Sequence, residues 1–362
     1  MTRVALDLLG GDHAPEAVVD GALLAVDRDP GLEVVLVGPV ELAGSLLADR
    51  GAVGRFRLVA ASQVVGMDED PARAVRAKRD ATVRVAARLV RDGGVAGADA
   101  MVSVGSTGAA LAAALFTLGR IRGVSRPALA AVIPAKAGPL VFLDAGAGVD
   151  ATCEQLVQFA LAGAAFAEVR LGLAAPRVGL LSIGEETGKG DELRKAAHAA
   201  LAALPLDFVG NVEGSDVPYG GRADVVVTDG FTGNVLAKGL EGAAAMLREV
   251  LGEALTATPE RAAVAELLLP ALDEATAGMS ADQLGGAVLL GVKGVVVVGH
   301  GASSPDGVAS CLAVAAQAAR EGLVPRIGAA LGDLLDRAGA SSLDEPRPAQ
   351  LKPTEIPAGA AS

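Results

Sequence analysis

The residues of this 362-residue chain best placed to do chemistry stand where short apolar runs stop and turn through glycine. In Ala223-Asp224-Val225-Val226-Val227-Thr228-Asp229-Gly230-Phe231-Thr232-Gly233-Asn234 a valine run ends at a carboxylate, turns and becomes helical. In an open α/β sheet such a strand-to-helix turn lies on the ligand-binding rim, where backbone N–H groups at the helix start attract anions. Asp229, Thr232, Gly233 and Asn234 are candidates for that rim. The competing reading is a plain turn that uses Gly and Asn for geometry alone.

The arrangement recurs along the chain. Asp7-Leu8-Leu9-Gly10-Gly11-Asp12-His13-Ala14-Pro15 sets two carboxylates and an imidazole around a glycine pair ahead of a helix, although Asp12 would also serve as that helix's cap. Ser103-Val104-Gly105-Ser106-Thr107-Gly108 repeats it with hydroxyls, and its amides suit a phosphate or an oxyanion. Ser182-Ile183-Gly184-Glu185-Glu186-Thr187-Gly188-Lys189-Gly190-Asp191 places a lysine among glycines before a helix. This is no nucleotide P-loop, because three residues separate Gly184 from Gly188 and glycine follows the lysine. A single phosphate or carboxylate suits Lys189 better. Asp144-Ala145-Gly146-Ala147-Gly148 lacks the third glycine of a dinucleotide fingerprint. His300, in Gly299-His300-Gly301-Ala302-Ser303, follows another valine run and suits a general acid or base. Cys153 and Cys311 have no histidine close in sequence and are expected as small core residues.

Such loops need a scaffold that delivers them to a common edge. Short Val/Leu/Ile runs alternate with longer Ala-rich segments, the pattern of a parallel sheet with crossover helices. Strands are predicted near 3–8, 33–38, 56–60, 99–104, 129–133, 140–144, 177–183, 207–209, 223–228 and 294–298. Helices are predicted to start close to Pro15, Pro71, Thr107, Thr152 and Asp191, with both prolines suited to a first turn. The hydrophobic fraction of 51%, with 47 Gly, no Trp and one Tyr, favours close helix-on-sheet packing over an aromatic-rich sandwich. A net charge of -12 argues against general nucleic-acid binding, which needs an excess of Lys and Arg. Two cysteines make neither a disulfide framework nor a zinc site, and a reducing, cytoplasmic setting fits. The start of the chain lacks a signal-peptide core. The uncharged run 100–119 is broken by Ser, Thr and Gly, so it reads as strand, turn and buried helix rather than a membrane span.

One α/β/α domain over 1–337 is expected, with no repeat or linker dividing it. From 235 to about 280 the pattern is helical without a strand, a candidate projecting arm that includes Leu267, Leu268 and Leu269. From 338 to 362 the chain is rich in Pro, Ala and Ser and reads as a disordered tail. Positive charge concentrates at Arg73, Arg76, Lys78 and Arg79, which suits either an acidic partner or a solvated helix face.

Taken in order, these stretches resemble the phosphate acyltransferase family of bacterial phospholipid synthesis, the PlsX type that uses acyl carrier protein. The resemblance is carried by Gly10-Gly11-Asp12 with Ala14-Pro15-Glu16, Val65-Gly66-Met67-Asp68 with Pro71, and Gly105 with Thr107-Gly108-Ala109. It continues through Leu118-Gly119-Arg120, Arg126-Pro127-Ala128, Val178-Gly179-Leu180-Leu181 and Ile183-Gly184-Glu185-Glu186. Gly210-Asn211-Val212-Glu213-Gly214, Asp229-Gly230-Phe231 and Gly233-Asn234-Val235 complete it. The chain departs from the family's usual pattern at His13, Ser106, Gly148 and Ser304-Pro305-Asp306.

The resemblance implies a Rossmann-like three-layer α/β/α fold with a mostly parallel sheet, akin to isocitrate/isopropylmalate dehydrogenases or phosphotransacetylases. It implies transfer of a long-chain acyl group from acyl carrier protein to inorganic phosphate, giving acyl phosphate for a downstream glycerol-3-phosphate acyltransferase. No cofactor and no metal are required. Lys189 would carry phosphate or oxyanion charge, Asp229 would orient it or another donor, Asn234 would donate, and His300 would handle a proton. Gly10, Gly11, Asp12, Gly105, Thr107, Gly108 and Asn211 would line the phosphate or oxyanion site. Arg73, Arg76, Lys78 and Arg79 would dock the acidic carrier protein. Leu267, Leu268 and Leu269 would pack a homodimer or touch the inner face of the plasma membrane peripherally. The alternatives are a phosphotransacetylase-like enzyme using acyl-CoA and a non-catalytic membrane-associated scaffold.

Overall fold

The structure, a computed structural model, describes residues 1–276 and 285–341. The first half of the chain contains β1 (Thr2–Asp7), α1 (Glu16–Arg28), β2 (Leu32–Gly38), α2 (Val40–Asp49), β3 (Arg57–Ala60), α3 (Pro71–Ala77), α4 (Thr82–Asp92), β4 (Ala100–Ser103), α5 (Thr107–Thr117), β5 (Ala128–Ile133), β6 (Leu140–Leu143) and α6 (Cys153–Leu171). The second half contains β7 (Arg177–Leu181), α7 (Glu192–Ala202), β8 (Asp207–Val212), α8 (Asp216–Tyr219), β9 (Val225–Val227), α9 (Gly230–Thr256), α10 (Pro259–Thr276), β10 (Ala287–Leu290), β11 (Val295–Val298), α11 (Pro305–Arg320) and α12 (Leu323–Ser341).

The strands form one sheet in the order β3-β2-β1-β4-β11-β10-β5-β6-β9-β7-β8. Two wings, β3-β2-β1-β4-β11 and β6-β9-β7-β8, are parallel throughout. Between them β10 and β5 run antiparallel to their neighbours, so the wings point in opposite directions. The sheet is mostly parallel, as the apolar runs predict, but β10 is a strand that the sequence pattern does not reveal.

Alternate residues feed opposite faces, as a strand's two-residue period requires. Val4, Leu6, Val102, Val141, Leu143, Val225 and Val227 enter one continuous core under α1, α2, α6, α7, α11 and α12. The alternate residues of the first wing, such as Ala5 and Met101, pack under α3, α4 and α5. Those of the second wing, Leu140, Phe142 and Val226, pack under Leu236, Ala237 and Leu240 of α9. The result is three layers, with one helical layer split between the wings. Phe142 is fully buried, and truncating such a residue costs about 3–5 kcal/mol.

Helix starts follow local chemistry. Asp70, Ser106, Thr152, Asp191, Asp229 and Ser304 each accept a hydrogen bond from an amide in the first turn that follows, which satisfies an otherwise orphaned donor. The predicted arm corresponds to α9 and α10; its residues 277–280 lie outside the described residues. Of the predicted tail, 338–341 continue α12, and 342–362 lie outside the described residues.

Candidate active site

At the carboxyl end of β9, Asp229 caps α9, accepting from the Thr232 amide at 2.9 Å and the Thr232 hydroxyl at 2.8 Å. Its ion pair is with Arg194, and both side chains are nearly buried. Arg194 also donates to Asp191 at 2.8 Å and to Thr232 at 3.2 Å, so it latches the start of α7 onto the start of α9. Burial pushes the Asp229 carboxyl up, but hydrogen bonds from Thr232 and the charge of Arg194 more than offset it. Asp229 therefore sits below the usual carboxylate range.

Close approach brings the neighbouring loop in. A Cβ on Gly230 would collide with the Gly148 carbonyl, and one on Gly233 with the Asp144 carbonyl. Glycine at these positions is a packing requirement. Asp144, itself buried, organises that loop by accepting from the amides of Leu129, Gly146, Ala147 and Gly148 at 2.7–3.0 Å. Gly146 faces the Asn234 side chain, and Arg126 reaches Asp150 at 3.0 Å across the same loop.

Lys189 stands on the exposed loop between β7 and α7, its methylenes over Gly184. Asn211 fixes this loop by donating to the Glu186 carbonyl at 2.9 Å, Glu185 pairs with Arg222, and the Lys189 amide donates to Glu186 at 2.9 Å. Among the described residues the Lys189 ammonium has neither a hydrogen bond nor an ion pair, so its charge is free for a ligand.

The predicted site residues thus divide into two groups. Lys189, Asn211, Asp229 and Asn234 gather at the second wing. Asp229 finds Arg194 there rather than Lys189, and Asn211 is an internal brace rather than a rim donor. Gly10, Gly11, Asp12, Gly105, Thr107, Gly108 and His300 gather at the first wing. There the Asp12 amide donates to the Gly301 carbonyl at 2.7 Å, Gly10 lies against Gly105, and Gly108 lies against Pro71. The Ala302 amide donates to His300 Nδ1 at 3.1 Å, which leaves the proton of the neutral ring on Nε2, 3.6 Å from Glu241 of α9.

Sequence reasoning missed Arg194, Asp144 and Arg126 as site residues. Arg194 carried a detectable signal, three residues beyond a capping aspartate, but its partner Asp229 lies far along the chain. Burial pushes the Cys153 thiol up and Cys311 is buried in the main core, as expected of packing cysteines.

The basic segment separates further. Arg73, Arg76 and Arg79 are exposed, with Arg76 stacked 4.5 Å over Phe116. Lys78 pairs with Glu69 and donates to the Val64 carbonyl at 2.8 Å. On α10, Leu267, Leu268 and Leu269 are 81%, 49% and 45% exposed, and Met246, Leu247 and Val250 of α9 are exposed as well. Among the described residues no helix is long and apolar enough to cross a membrane.

A family model described as "Fatty acid synthesis protein" matches residues 2–326. The phosphate acyltransferase of Desulfitobacterium hafniense (strain Y51) is 45% identical over 327 residues, covering 90% of this chain and 96% of that one. The phosphate acyltransferase of Myxococcus xanthus is 43% identical, covering 91% and 94%. A phosphotransacetylase from Streptococcus pyogenes matches the fold with a TM-score of 0.59 at 18% identity, covering 88% of this chain and 94% of that one. A branched-chain phosphotransacylase from Enterococcus faecalis V583 matches with a TM-score of 0.52 at 17% identity, covering 88% and 99%. With matching motifs spread over nearly the whole chain and a phosphotransacylase-like fold to carry them, the chain belongs to the fatty acid synthesis protein family of PlsX type and is an acyltransferase.

Proposed function

We propose that the enzyme moves a long-chain acyl group from acyl carrier protein to inorganic phosphate, making acyl phosphate for phospholipid synthesis. Acyl transfer to phosphate comes with the family; the donor and the fate of the product are the proposal. The observation that carries it is the uncommitted Lys189 ammonium on a braced loop beside the capped start of α9. A phosphate oxygen attacks the thioester carbonyl, the C–O bond forms, the C–S bond breaks, and the thiolate takes the proton that hydrogen phosphate gives up. A thiolate leaves readily, so the reaction needs positioning and charge stabilisation more than a protein nucleophile. Lys189 balances the charge on phosphate and on the developing oxyanion, and Asn234 donates to one of them. Asp229 acts through Arg194, holding the Lys189 loop against α9. His300 takes no part in this step, because it stands at the other wing.

Arg73, Arg76 and Arg79 support docking of an acidic carrier protein. The exposed apolar face of α9 and α10 supports a homodimer first and peripheral lipid contact second. The setting is the cytoplasm, at the inner face of the plasma membrane, upstream of a glycerol-3-phosphate acyltransferase. Incubating the enzyme with acyl carrier protein or CoA thioesters, with and without phosphate, tests the reading through thiol release and acyl phosphate. Phosphate-dependent release from the carrier-protein donor is expected. Release from acyl-CoA alone would overturn the donor, and release from neither would overturn the reaction.

A further inference from the structure

Phosphate needs cations with donors to spare. The cavity of about 150 Å³ at the ends of β1 and β4, between the Gly10–Asp12 turn and the loop at residues 64–67, is walled by Asp7 and Asp12 and has no Lys or Arg among its described lining residues. The rim of the second wing is basic, and its cations differ in what they hold. Arg194 is taken up by Asp191, Asp229 and Thr232, and Arg222 by Glu185. Lys189 and Arg126 keep donors that have no partner among the described residues.

Arg126 is tied at one corner only. Its Nη1 donates to the Asp150 carbonyl and to Asp150 Oδ1, both at 3.0 Å. Its Nε and Nη2 donate to nothing among the described residues, and the side chain is 41% exposed. These two nitrogens form the edge of the guanidinium that faces away from Nη1. Two parallel N–H groups on one planar edge match two oxygens of a phosphate, which is why arginine holds phosphate bidentately where lysine offers a point charge. Asp150 is 90% exposed, so water and salt screen its carboxylate.

Topology brings that edge to the start of α9. Strands β5, β6, β9 and β7 are neighbours in that order, and β5 alone of the four runs antiparallel to the rest. The start of β5, where Arg126 stands, is therefore at the same sheet edge as the ends of β6, β9 and β7. Three strand spacings, about 14 Å, separate the β5 and β7 backbones, and contacts close that distance from both sides. A Cβ on Gly148 would come within 3.0 Å of Arg126 Nη1, and the Gly148 carbonyl packs on Gly230. The Val149 carbonyl accepts from the Phe231 amide at 2.9 Å. From the β7 side Gly190, next to Lys189, lies against Arg194, the partner of Asp229. Arg126 holds the Asp150 carboxyl below the usual carboxylate range, and the Asp229 charge is among the weaker causes that oppose it. Asp150 and Asp229 thus stand within electrostatic reach of each other.

We infer that the Nε and Nη2 donors of Arg126 hold two oxygens of the phosphate that attacks the thioester, beside the start of α9, which leaves the Lys189 ammonium for the developing oxyanion. This assignment rests on the reading that acyl transfer takes place at this edge of the second wing, and it names the side chain that recognises phosphate there.

The test uses the full chain with inorganic phosphate as the probe, in two measurements. One is the phosphate-dependent rise of Tm at constant ionic strength, which reports binding without turnover. The other is the KM for phosphate in thiol release from an acyl carrier protein thioester. Arg126→Lys keeps the charge and loses the fork. Its KM for phosphate should rise about tenfold or more, as for loss of a hydrogen bond to a charged group. Its phosphate-dependent rise of Tm should shrink in step, and the KM for the thioester should stay within about twofold. Asp150→Ala, which leaves Arg126 in place, separates recognition from bracing. A guanidinium that only braced the loop through Asp150 would make this variant resemble Arg126→Lys. With phosphate on Arg126, the residue 150 carbonyl still holds Nη1 and a competing carboxylate is gone, so the KM for phosphate should fall about two- to threefold. An unchanged KM for phosphate in Arg126→Lys, a fall in its kcat alone, or a raised KM in Asp150→Ala would each overturn the assignment. A phosphate-dependent rise of Tm that is lost in Arg126→Lys, in an enzyme whose wild type releases no thiol from any thioester, would reject the proposed reaction and uphold the phosphate site.

Discussion

At the end of β9 a glycine turn leads into α9 among Arg126, Lys189 and Arg194. At the end of β1 a glycine turn leads toward α1 beside Asp7 and Asp12, in a cavity that no Lys or Arg lines among the described residues. The backbone device is the same in both wings, a strand that stops and exposes amides ahead of a helix. Amides alone would welcome an anion at either place. Side-chain charge is what separates them: cations gather at the second wing and carboxylates at the first, which favours an anion at the second.

The sharpest way to break this division is to remove Arg194. It leaves Asp229 buried without its guanidinium, and loss of one partner from a buried pair costs about 3–5 kcal/mol. Arg194→Ala should lower Tm by many degrees and reduce kcat by freeing the Lys189 loop. The pH profile adds a second signature. Asp229 has a depressed pKa, so it contributes stability that is present above the unfolded carboxylate value of about 3.9 and is lost as pH falls through the folded value. Without Arg194 one source of the depression is gone, and acid unfolding should begin at higher pH. An unchanged acid limb would show that Arg194 is not the latch.

Lys189→Ala isolates chemistry from stability. The ammonium makes no contact whose loss would unfold the chain, so Tm should hold. The kcat should fall about 10²–10³-fold, or about 2.7–4 kcal/mol of transition-state stabilisation. Activity retained with acyl thioester and phosphate would return the anion site to the first wing and dissolve the comparison.

The sequence made the two rims visible one turn at a time, but not their separation. Ten strands are legible because Val and Leu runs end at Asp, Ser or Gly, and five helix starts because Pro, Thr, Ser or Asp stands at the cap. Strand β10 is not legible, since Val288 to Leu290 is a short run between Gly285-Gly286 and Gly291 with no polar alternation to mark it. Yet β10 pairs antiparallel with both β11 and β5, and that reversal helps turn the second wing against the first. Motifs that look equivalent along the chain therefore finish in two groups. Pairings such as Arg194 with Asp229, or Asp144 with the Leu129 amide, arise from this topology and have no local signature.

Gly233→Ala probes the second wing more gently. Its new methyl meets the Asp144 carbonyl, which is backbone and cannot swing aside, and overpacking of this kind costs about 1–3 kcal/mol. Tm should fall by several degrees, and kcat should fall with it as the Asp144 loop is pushed from the start of α9. An unchanged Tm would show that glycine is not a packing requirement there.

The smallest effect is expected at α3, where Lys78 and Arg76 are neighbours in sequence but not in role. Lys78 is held by Glu69 and the Val64 carbonyl, and so braces the loop that walls the Asp7 cavity. Arg76 is exposed over Phe116 and is free to meet an acidic surface. Arg76→Glu should raise the KM for acyl carrier protein donors a few-fold at low salt, and the effect should fade as salt screens exposed charges. Lys78→Gln should change that KM far less, because the Lys78 charge is already paired with Glu69, and should instead lower Tm slightly with little dependence on salt. If both variants respond alike to salt, the basic segment is one diffuse patch.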